Sequence, residues 1–345
     1  MAACVSQGAP DLMTSTTVSL TNHLEDREVE RSLSDDVRRG LGSTPKTLPP
    51  KWFYDEVGSR LFEQITRLPE YYPTEAERRA LQLHSCEIAE LAGADTLVEL
   101  GSGASDKTTE LLDAMRRAGR LDRYVPFDVS HSALLSASLE IASRYEAIRV
   151  DAVVGDFDRH VPMLPLHGRR LLAFLGGTIG NYEPVARREF LRTISSILRP
   201  GESFLLGTDL VKDRGRLVRA YDDSAGITAA FNRNLLSVLN RELGAHFEPE
   251  LFDHIALWDE RNEWIEMRLR STIDQQVHID ALDRSYSFDA GEDIRTEISA
   301  KFRREGLEHE FAAAGLELVG WWTDPAGDFA LSLSRRARHA VIHPV

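Results

Sequence analysis

Apolar residues recur along this chain with two different periods. Between residues 96 and 207, short runs of consecutive apolar residues alternate with longer stretches in which apolar residues recur every three or four positions. Runs of the first kind are typical of strands buried on both faces, and stretches of the second kind are typical of helices. Their alternation predicts a parallel sheet covered by helices. The predicted strands are residues 96–100, 123–128, 148–154, 170–175 and 201–207.

Helices are expected before, between and after these strands. Thr74 and Glu77, three residues apart, match a capping box, which predicts a helix that begins at Thr74 and runs to about residue 91. The other predicted helices cover residues 24–41, 61–65, a segment from 130 or 131 onward, 186–198 and 308–314.

The pattern changes after residue 210. Residues 211–247 contain two helical segments, and residues 252–290 alternate apolar and polar positions, with a hairpin turn expected at 259–263. The alternation of helices and strands seen before residue 210 then returns, with strands predicted at 316–322 and 329–334. The prediction is an α/β fold, a doubly wound sheet with an α+β insertion that forms a second domain. Residues 18–75 and 209–300 are assigned to this second domain, residues 76–208 and 301–335 to the doubly wound domain, 1–17 to a disordered tail and 336–345 to a second tail.

Composition narrows the function classes. The 345 residues carry a formal net charge of −14, which argues against a nucleic-acid partner because phosphate backbones attract basic surfaces. No apolar run approaches the ~18–20 residues of a membrane-spanning helix. Two cysteines, Cys4 and Cys86, do not make a disulfide framework or a zinc site. We expect a cytoplasmic monomer without a metal, without a membrane partner and without a nucleic-acid partner.

A glycine turn follows the first strand of the alternating region. Gly101 and Gly103 lie between that strand and a helical pattern, where doubly wound sheets bind ligands. A dinucleotide-binding turn needs a small residue where Asp106 stands, so this turn does not fit a nicotinamide cofactor. The sequence ELGSG at 99–103 instead resembles the turn of class I S-adenosylmethionine (SAM) methyltransferases.

Polar residues end the next two strands. Asp128, at the end of the second strand, is expected to bind the ribose hydroxyls of SAM. Asp156 and Phe157, after the third strand, offer a carboxylate for the adenine amine and a ring for stacking. Acidic residues at strand ends also occur as simple helix caps, so each of these signals is weak alone.

Seven motifs together resemble one family. They are KWFYD at 51–55, LPEYYPT at 68–74, ELGSG at 99–103, GGTIGN at 176–181, GTDLVKD at 207–213, AYDD at 220–223 and WWTDP at 321–325. The family is that of the histidine-specific Nα-methyltransferases of ergothioneine biosynthesis, which trimethylate L-histidine to hercynine. The resemblance covers residues 18–334 and implies SAM as co-substrate, with the insertion as the substrate-binding domain.

The resemblance also implies roles for individual residues. The implied SAM-binding residues are Tyr54, Gly101, Gly103, Lys107, Asp128, Asp156 and Phe157. The implied histidine-binding residues are Tyr71, Asn181, Tyr221, Met267, Glu297 and Ser299, with Asn181 and Tyr54 closest to the chemistry. Glu297 and Ser299 are two positions apart, so on an extended segment both point to one face, where they can bind the two nitrogens of one imidazole.

Other interpretations stay open at this stage. Asn181 is also a good cap for a helix starting at Pro184, Glu297 and Ser299 also suit a helix start, and a Met on an alternating strand such as Met267 is more often core. Alternative functions are methylation of another small amine or amino acid and, outside catalysis, a SAM-binding sensor. The predicted reaction is three in-line methyl transfers to a deprotonated α-amine, with no dedicated histidine base.

Overall fold

The computed structural model describes residues 17–24, 26–103, 107–145 and 147–337. Asp106 and most of the two predicted tails lie outside the described residues. The strands, numbered in chain order, are β1 (Thr17–Asn22), β2 (Lys46–Thr47), β3 (Thr96–Leu100), β4 (Arg123–Asp128), β5 (Arg149–Val154), β6 (Arg170–Phe174), β7 (Ser203–Asp209), β8 (Phe252–Asp259), β9 (Trp264–Ser271), β10 (Gln275–Ile279), β11 (Arg284–Phe288), β12 (Asp293–Ala300), β13 (Leu316–Thr323) and β14 (Phe329–Arg336). The helices are α1 (Asp26–Leu41), α2 (Glu56–Ile65), α3 (Pro73–Ala92), α4 (Thr108–Arg117), α5 (His131–Arg144), α6 (Phe157–His160), α7 (Pro184–Ile197), α8 (Arg214–Tyr221), α9 (Ile227–Leu243) and α10 (Arg304–Ala313).

The larger sheet has the order β1-β5-β4-β3-β6-β7-β14-β13. Strands β1 to β7 in this sheet pair in parallel, whereas β14 is antiparallel to both β7 and β13. All five strands predicted in the alternating region are present, with ends within two residues of the prediction. The predicted doubly wound sheet is therefore confirmed. Its central strands are buried on both faces, as their unbroken apolar runs require.

A second, smaller sheet has the order β2-β12-β9-β8. Strands β8 and β9 form the hairpin expected around residues 259–263. One apolar core joins this sheet to helices α1, α2, α8 and α9, with buried residues that include Val37, Phe53, Leu235 and Ile294. This substructure contains the predicted insertion together with part of the N-terminal segment.

Two expectations about the N-terminal part are wrong. Strand β1 pairs with β5 at the edge of the larger sheet, although residues 18–75 were all assigned to the second domain. Thr74 does not cap helix α3, because the helix already begins at Pro73, with Tyr72 at the cap position. Glu77 is fully buried, and its carboxylate accepts a hydrogen bond from the Gly176 N–H at 2.7 Å. This carboxylate therefore binds the loop that follows β6 instead of the start of its own helix.

The smaller sheet lies over the carboxyl ends of the larger one. A 3-10 helix, Thr178–Asn181, follows β6 and contacts β12. A Cβ atom at Gly180 would lie 2.9 Å from the Ala300 carbonyl oxygen, so only glycine permits this approach. The residues at the ends of β3 to β7 therefore face the residues of β12 across one cleft. No helix in the described ranges is long and apolar enough to cross a membrane.

Candidate functional site

The first wall of the cleft is the glycine turn after β3. Gly101 and Gly103 both have positive φ, at 72° and 49°, which L side chains rarely adopt. The Gly103 N–H donates to Asp128 Oδ2 at 3.0 Å, and the Ser130 N–H donates to Asp128 Oδ1 at 3.0 Å. Burial raises the pKa of Asp128, against the effect of these backbone hydrogen bonds. Asp128 also accepts from the Val129 N–H, and a carboxylate has about four acceptor positions, so it can still accept from a ligand hydroxyl.

Phe157 forms the floor beside this turn. Its ring stacks on Phe127 with centroids 5.5 Å apart, and a Cβ at Gly101 would lie 3.2 Å from it. Asp156 lies next to it in the chain, with its carboxylate 3.9 Å from the Lys51 ammonium. The three residues predicted at the ends of the second and third strands are thus placed around one turn.

The turn can accommodate the amino-acid tail and the ribose of SAM, the co-substrate that the resemblance implies. Among the described residues, no atom lies within 4 Å of the position of a Cβ at Gly103, so the backbone of the turn is accessible to a ligand from that side. Within the described residues, the buried Ser102 hydroxyl has no hydrogen-bond partner, which leaves a donor for the amino-acid tail of a ligand. Lys107 forms an ion pair with Glu77, so its predicted role in binding SAM stays a prediction.

We expect Gly101→Ala to raise the dissociation constant for SAM about tenfold. An alanine at positive φ costs roughly 1–2 kcal/mol, and its Cβ would press on Phe157 and displace the turn. The matched control is Gly119→Ala, which has φ 66° but open space around it. Calorimetric titration should show a weaker SAM complex for Gly101→Ala only. Equal weakening in both variants would contradict the assigned role of the turn.

Asn181 and Glu297 connect the two sheets. The Asn181 side-chain amide donates to Glu297 Oε1 and to the Ile298 carbonyl oxygen, each at 2.8 Å. Both partners are acceptors, so Nδ2 faces them and Oδ1 faces away, available to a ligand donor. Helix α7 has Glu183 at its cap position, so the interpretation of Asn181 as a helix cap is wrong. A cavity of about 330 Å³ has both residues in its wall, but the rest of this wall comes mainly from residues 36–50, and Tyr71, Tyr221 and Ser299 do not line it.

Glu297 and Ser299 lie on strand β12, so the helix-start interpretation of this pair is wrong. A register shift between Arg295 and Glu297 interrupts the pairing with β9 just before the pair. Burial raises the pKa of Glu297 to about 7, while the hydrogen bond from Asn181 and the positive charge of Lys301 oppose this rise. Met267 pairs with Glu297 in register and is buried, and its contact with a substrate stays a prediction.

Aromatic rings link the predicted tyrosines. Tyr54 contacts Phe62 edge-on at 5.5 Å, Phe62 contacts Tyr71 at 6.2 Å, and Tyr71 contacts Tyr221 at 6.1 Å between centroids. Tyr54 is 42% exposed, which places it at the open side of the series. The tyrosines predicted from three separate motifs therefore form one continuous aromatic wall, and this wall ends at Ser299, whose hydroxyl is 2.7 Å from that of Tyr221.

Three charged residues of this region were missed by the sequence reasoning. The capping-box pattern predicts a helix cap at Glu77, and the sequence predicts no role for Asp209 or Lys301. Asp209 is the last residue of β7, the strand-end position already used for Asp128. Lys301 extends the series 297, 299, 301, and this period of two was a usable signal. Asp209 and Lys301 form a buried ion pair of 2.9 Å.

The chain is similar in sequence to proteins of known family. A protein family described as "Histidine-specific methyltransferase, SAM-dependent" matches residues 33–336. Histidine N-alpha-methyltransferase of Mycolicibacterium smegmatis is 58% identical over 93% of this chain and 100% of that protein. The protein of the same name from Mycobacterium tuberculosis is 54% identical over 92% of this chain and 99% of its own length. Ergothioneine biosynthesis protein 1 of Neurospora crassa is 30% identical over 85% of this chain but only 34% of that protein.

Proposed function

The chain belongs to the SAM-dependent, histidine-specific methyltransferases, and from this membership we propose that it trimethylates the α-amino group of L-histidine to give hercynine, the first step of ergothioneine biosynthesis. The two relatives that are 58% and 54% identical to this chain, over 100% and 99% of their own lengths, carry the histidine N-alpha-methyltransferase name. SAM would supply methyl groups activated by its sulfonium. The carboxyl ends of β3, β4 and β5 would hold it through Gly101, Gly103, Asp128, Asp156 and Phe157.

One observation supports the choice of histidine more than any other. Glu297 and Ser299 extend from one face of β12, and Asn181 holds the Glu297 carboxylate at 2.8 Å. A carboxylate and a hydroxyl two residues apart suit the two nitrogens of an imidazole ring. Most other amino-acid side chains do not satisfy both groups.

Asn181 would then bind the amine. Because its Nδ2 is committed to Glu297 and Ile298, its Oδ1 is left to accept an N–H from the substrate. This acceptor would orient the lone pair of the deprotonated amine for in-line attack. The rings of Tyr54, Tyr71 and Tyr221 would face the quaternary ammonium of the product, which attracts aromatic faces but donates no hydrogen bond. Proton loss to water, or through Asn181 and a tyrosine hydroxyl, is part of the proposal.

Mass spectrometry of the purified protein with SAM and L-histidine tests this function, with the other amino acids as a panel. We expect trimethylated histidine and no methylation of the rest of the panel. Methylation of a different amine at a higher rate would favour the alternative, an N-methyltransferase of another small substrate. Binding of SAM without any methylated product would favour a SAM-binding sensor.

The proposal includes a monomer that works in the cytoplasm and needs no metal. The net charge of −14 supports the monomer, because copies of an acidic chain repel one another. Light scattering of the purified protein tests the oligomeric state. Full activity after treatment with a chelator would agree with a reaction that is independent of metals.

A further inference from the structure

Lys301 is a buried cation that contacts two of the predicted histidine-binding residues. Its side chain has no exposed surface. Its ammonium donates to Ser299 Oγ at 2.8 Å and to Tyr221 Oη at 2.9 Å, and it pairs with Asp209 Oδ2 at 2.9 Å. An ammonium has three N–H groups and no acceptor, so these three partners use all of them. Lys301 therefore acts on a substrate only through its neighbours.

The ammonium restricts how the two hydroxyls bond to each other. Ser299 Oγ and Tyr221 Oη are 2.7 Å apart, so one of them donates to the other. Both already accept from Lys301, and only one of the two hydroxyl protons is left for a ligand. The positions of the two oxygens allow either hydroxyl to donate, but a phenol is a stronger acid and a poorer acceptor than an alcohol, which favours Tyr221 as the donor to Ser299. The Ser299 oxygen then accepts twice, and its own proton is directed away from both neighbours.

We propose that Lys301 is a positioning residue that makes Ser299 a hydrogen-bond donor, so that the site selects a neutral imidazole ring. One ring N–H then faces Glu297, and the bare nitrogen faces Ser299. The inference rests on the proposed function and adds the protonation state and tautomer of the substrate ring. Without Lys301, Ser299 is free to accept, and a site with two acceptors suits an imidazolium.

Asp209 holds Lys301 in place and keeps other partners if Lys301 is removed. Its carboxylate also forms an ion pair with Lys212 and accepts from the Tyr72 hydroxyl, at 3.0 Å to Oδ1 and 2.8 Å to Oδ2. Lys301→Met therefore leaves no bare buried charge, and we expect this variant to fold. The matched control is Lys46→Met, because Lys46 is a mostly buried lysine in an ion pair with Glu292, on the small sheet.

A double-mutant cycle tests the inference. Histidine affinity is measured by calorimetry with S-adenosylhomocysteine bound, for the unaltered protein, Lys301→Met, Ser299→Ala and the double variant. We expect Lys301→Met to weaken binding about tenfold in the unaltered protein and less than about threefold in Ser299→Ala, because the effect passes through Ser299. Lys46→Met should leave the affinity unchanged. Additive effects of the two substitutions would mean that Lys301 only stabilises the fold.

A second measurement uses the unaltered protein and needs no variant. Nitrogen NMR of ring-labelled histidine bound at pH 7.5 should show one protonated and one bare ring nitrogen. Two protonated nitrogens would overturn the inference, since they would mean that Ser299 accepts. Failure of the proposed function would look different, because the unaltered protein would then not bind histidine at all, and both proposals would fall together.

Discussion

Replacement of Glu297 by glutamine should weaken the binding of L-histidine about 100-fold and leave the affinity for SAM unchanged. A hydrogen bond to a charged group contributes roughly 1.5–3 kcal/mol, and glutamine cannot supply the carboxylate. The glutamine oxygen can still accept from Asn181, so the side-chain amide would turn its N–H groups toward the ring. With Ser299 also donating, the single bare nitrogen of a neutral imidazole cannot satisfy both groups.

Calorimetry on the Glu297→Gln variant, with SAM affinity as the internal control, measures this effect. The pH dependence gives an independent readout. Burial raises the pKa of Glu297 to about 7, so histidine affinity of the unaltered protein should fall as the pH drops below 7 and the carboxylate takes up a proton. In Glu297→Gln, the remaining fall should follow the imidazole itself, near pH 6.5. An unchanged histidine affinity in the variant would remove Glu297 from the site.

Much of the fold follows from local patterns in the sequence. Strand β3 has the predicted bounds because a short, mostly apolar run of five residues ends directly at a glycine turn. Strand β12, on which Glu297 and Ser299 share one face, was not predicted, because the alternation in the insertion was followed only to residue 290 and β12 covers Asp293–Ala300. Motif resemblance then brought together Tyr54, Tyr71 and Tyr221, whose contacts have no signal in spacing along the chain.

The features that the sequence did not predict depend on contacts between distant segments. Glu77 and Gly176 are 99 positions apart, so nothing local distinguishes a capping box from a carboxylate that faces the sheet edge. The register shift before Glu297 depends on how β12 pairs with β9, and the intrinsic β-propensities of the residues do not determine this pairing. The direction of the Asn181 amide is likewise set by two acceptors on strand β12.

The second large effect is a loss of stability, expected when the buried ion pair between Asp209 and Lys301 is broken. We expect Asp209→Ala to lower the free energy of unfolding by about 3–5 kcal/mol, since removal of one partner leaves a buried charge without compensation. Asp209 is 4% exposed and faces the ammonium groups of Lys301 and Lys212. Burial works against ionisation of this carboxyl, but the two ammonium groups hold its pKa below the usual value.

Urea unfolding of Asp209→Ala, followed by fluorescence, measures this loss. The control is Asp253→Ala, which removes an exposed ion pair with Arg233 at 3.8 Å and should cost less than about 1 kcal/mol. Because the native pKa of Asp209 is lowered, its contribution to stability is present above the ordinary aspartate pKa and is lost as the pH falls below it. The difference in stability between the unaltered protein and Asp209→Ala should therefore shrink in strong acid. Equal losses for Asp209→Ala and Asp253→Ala would mean that water reaches the Asp209 pair, and the rigid support inferred for Lys301 and Ser299 would lose its physical basis.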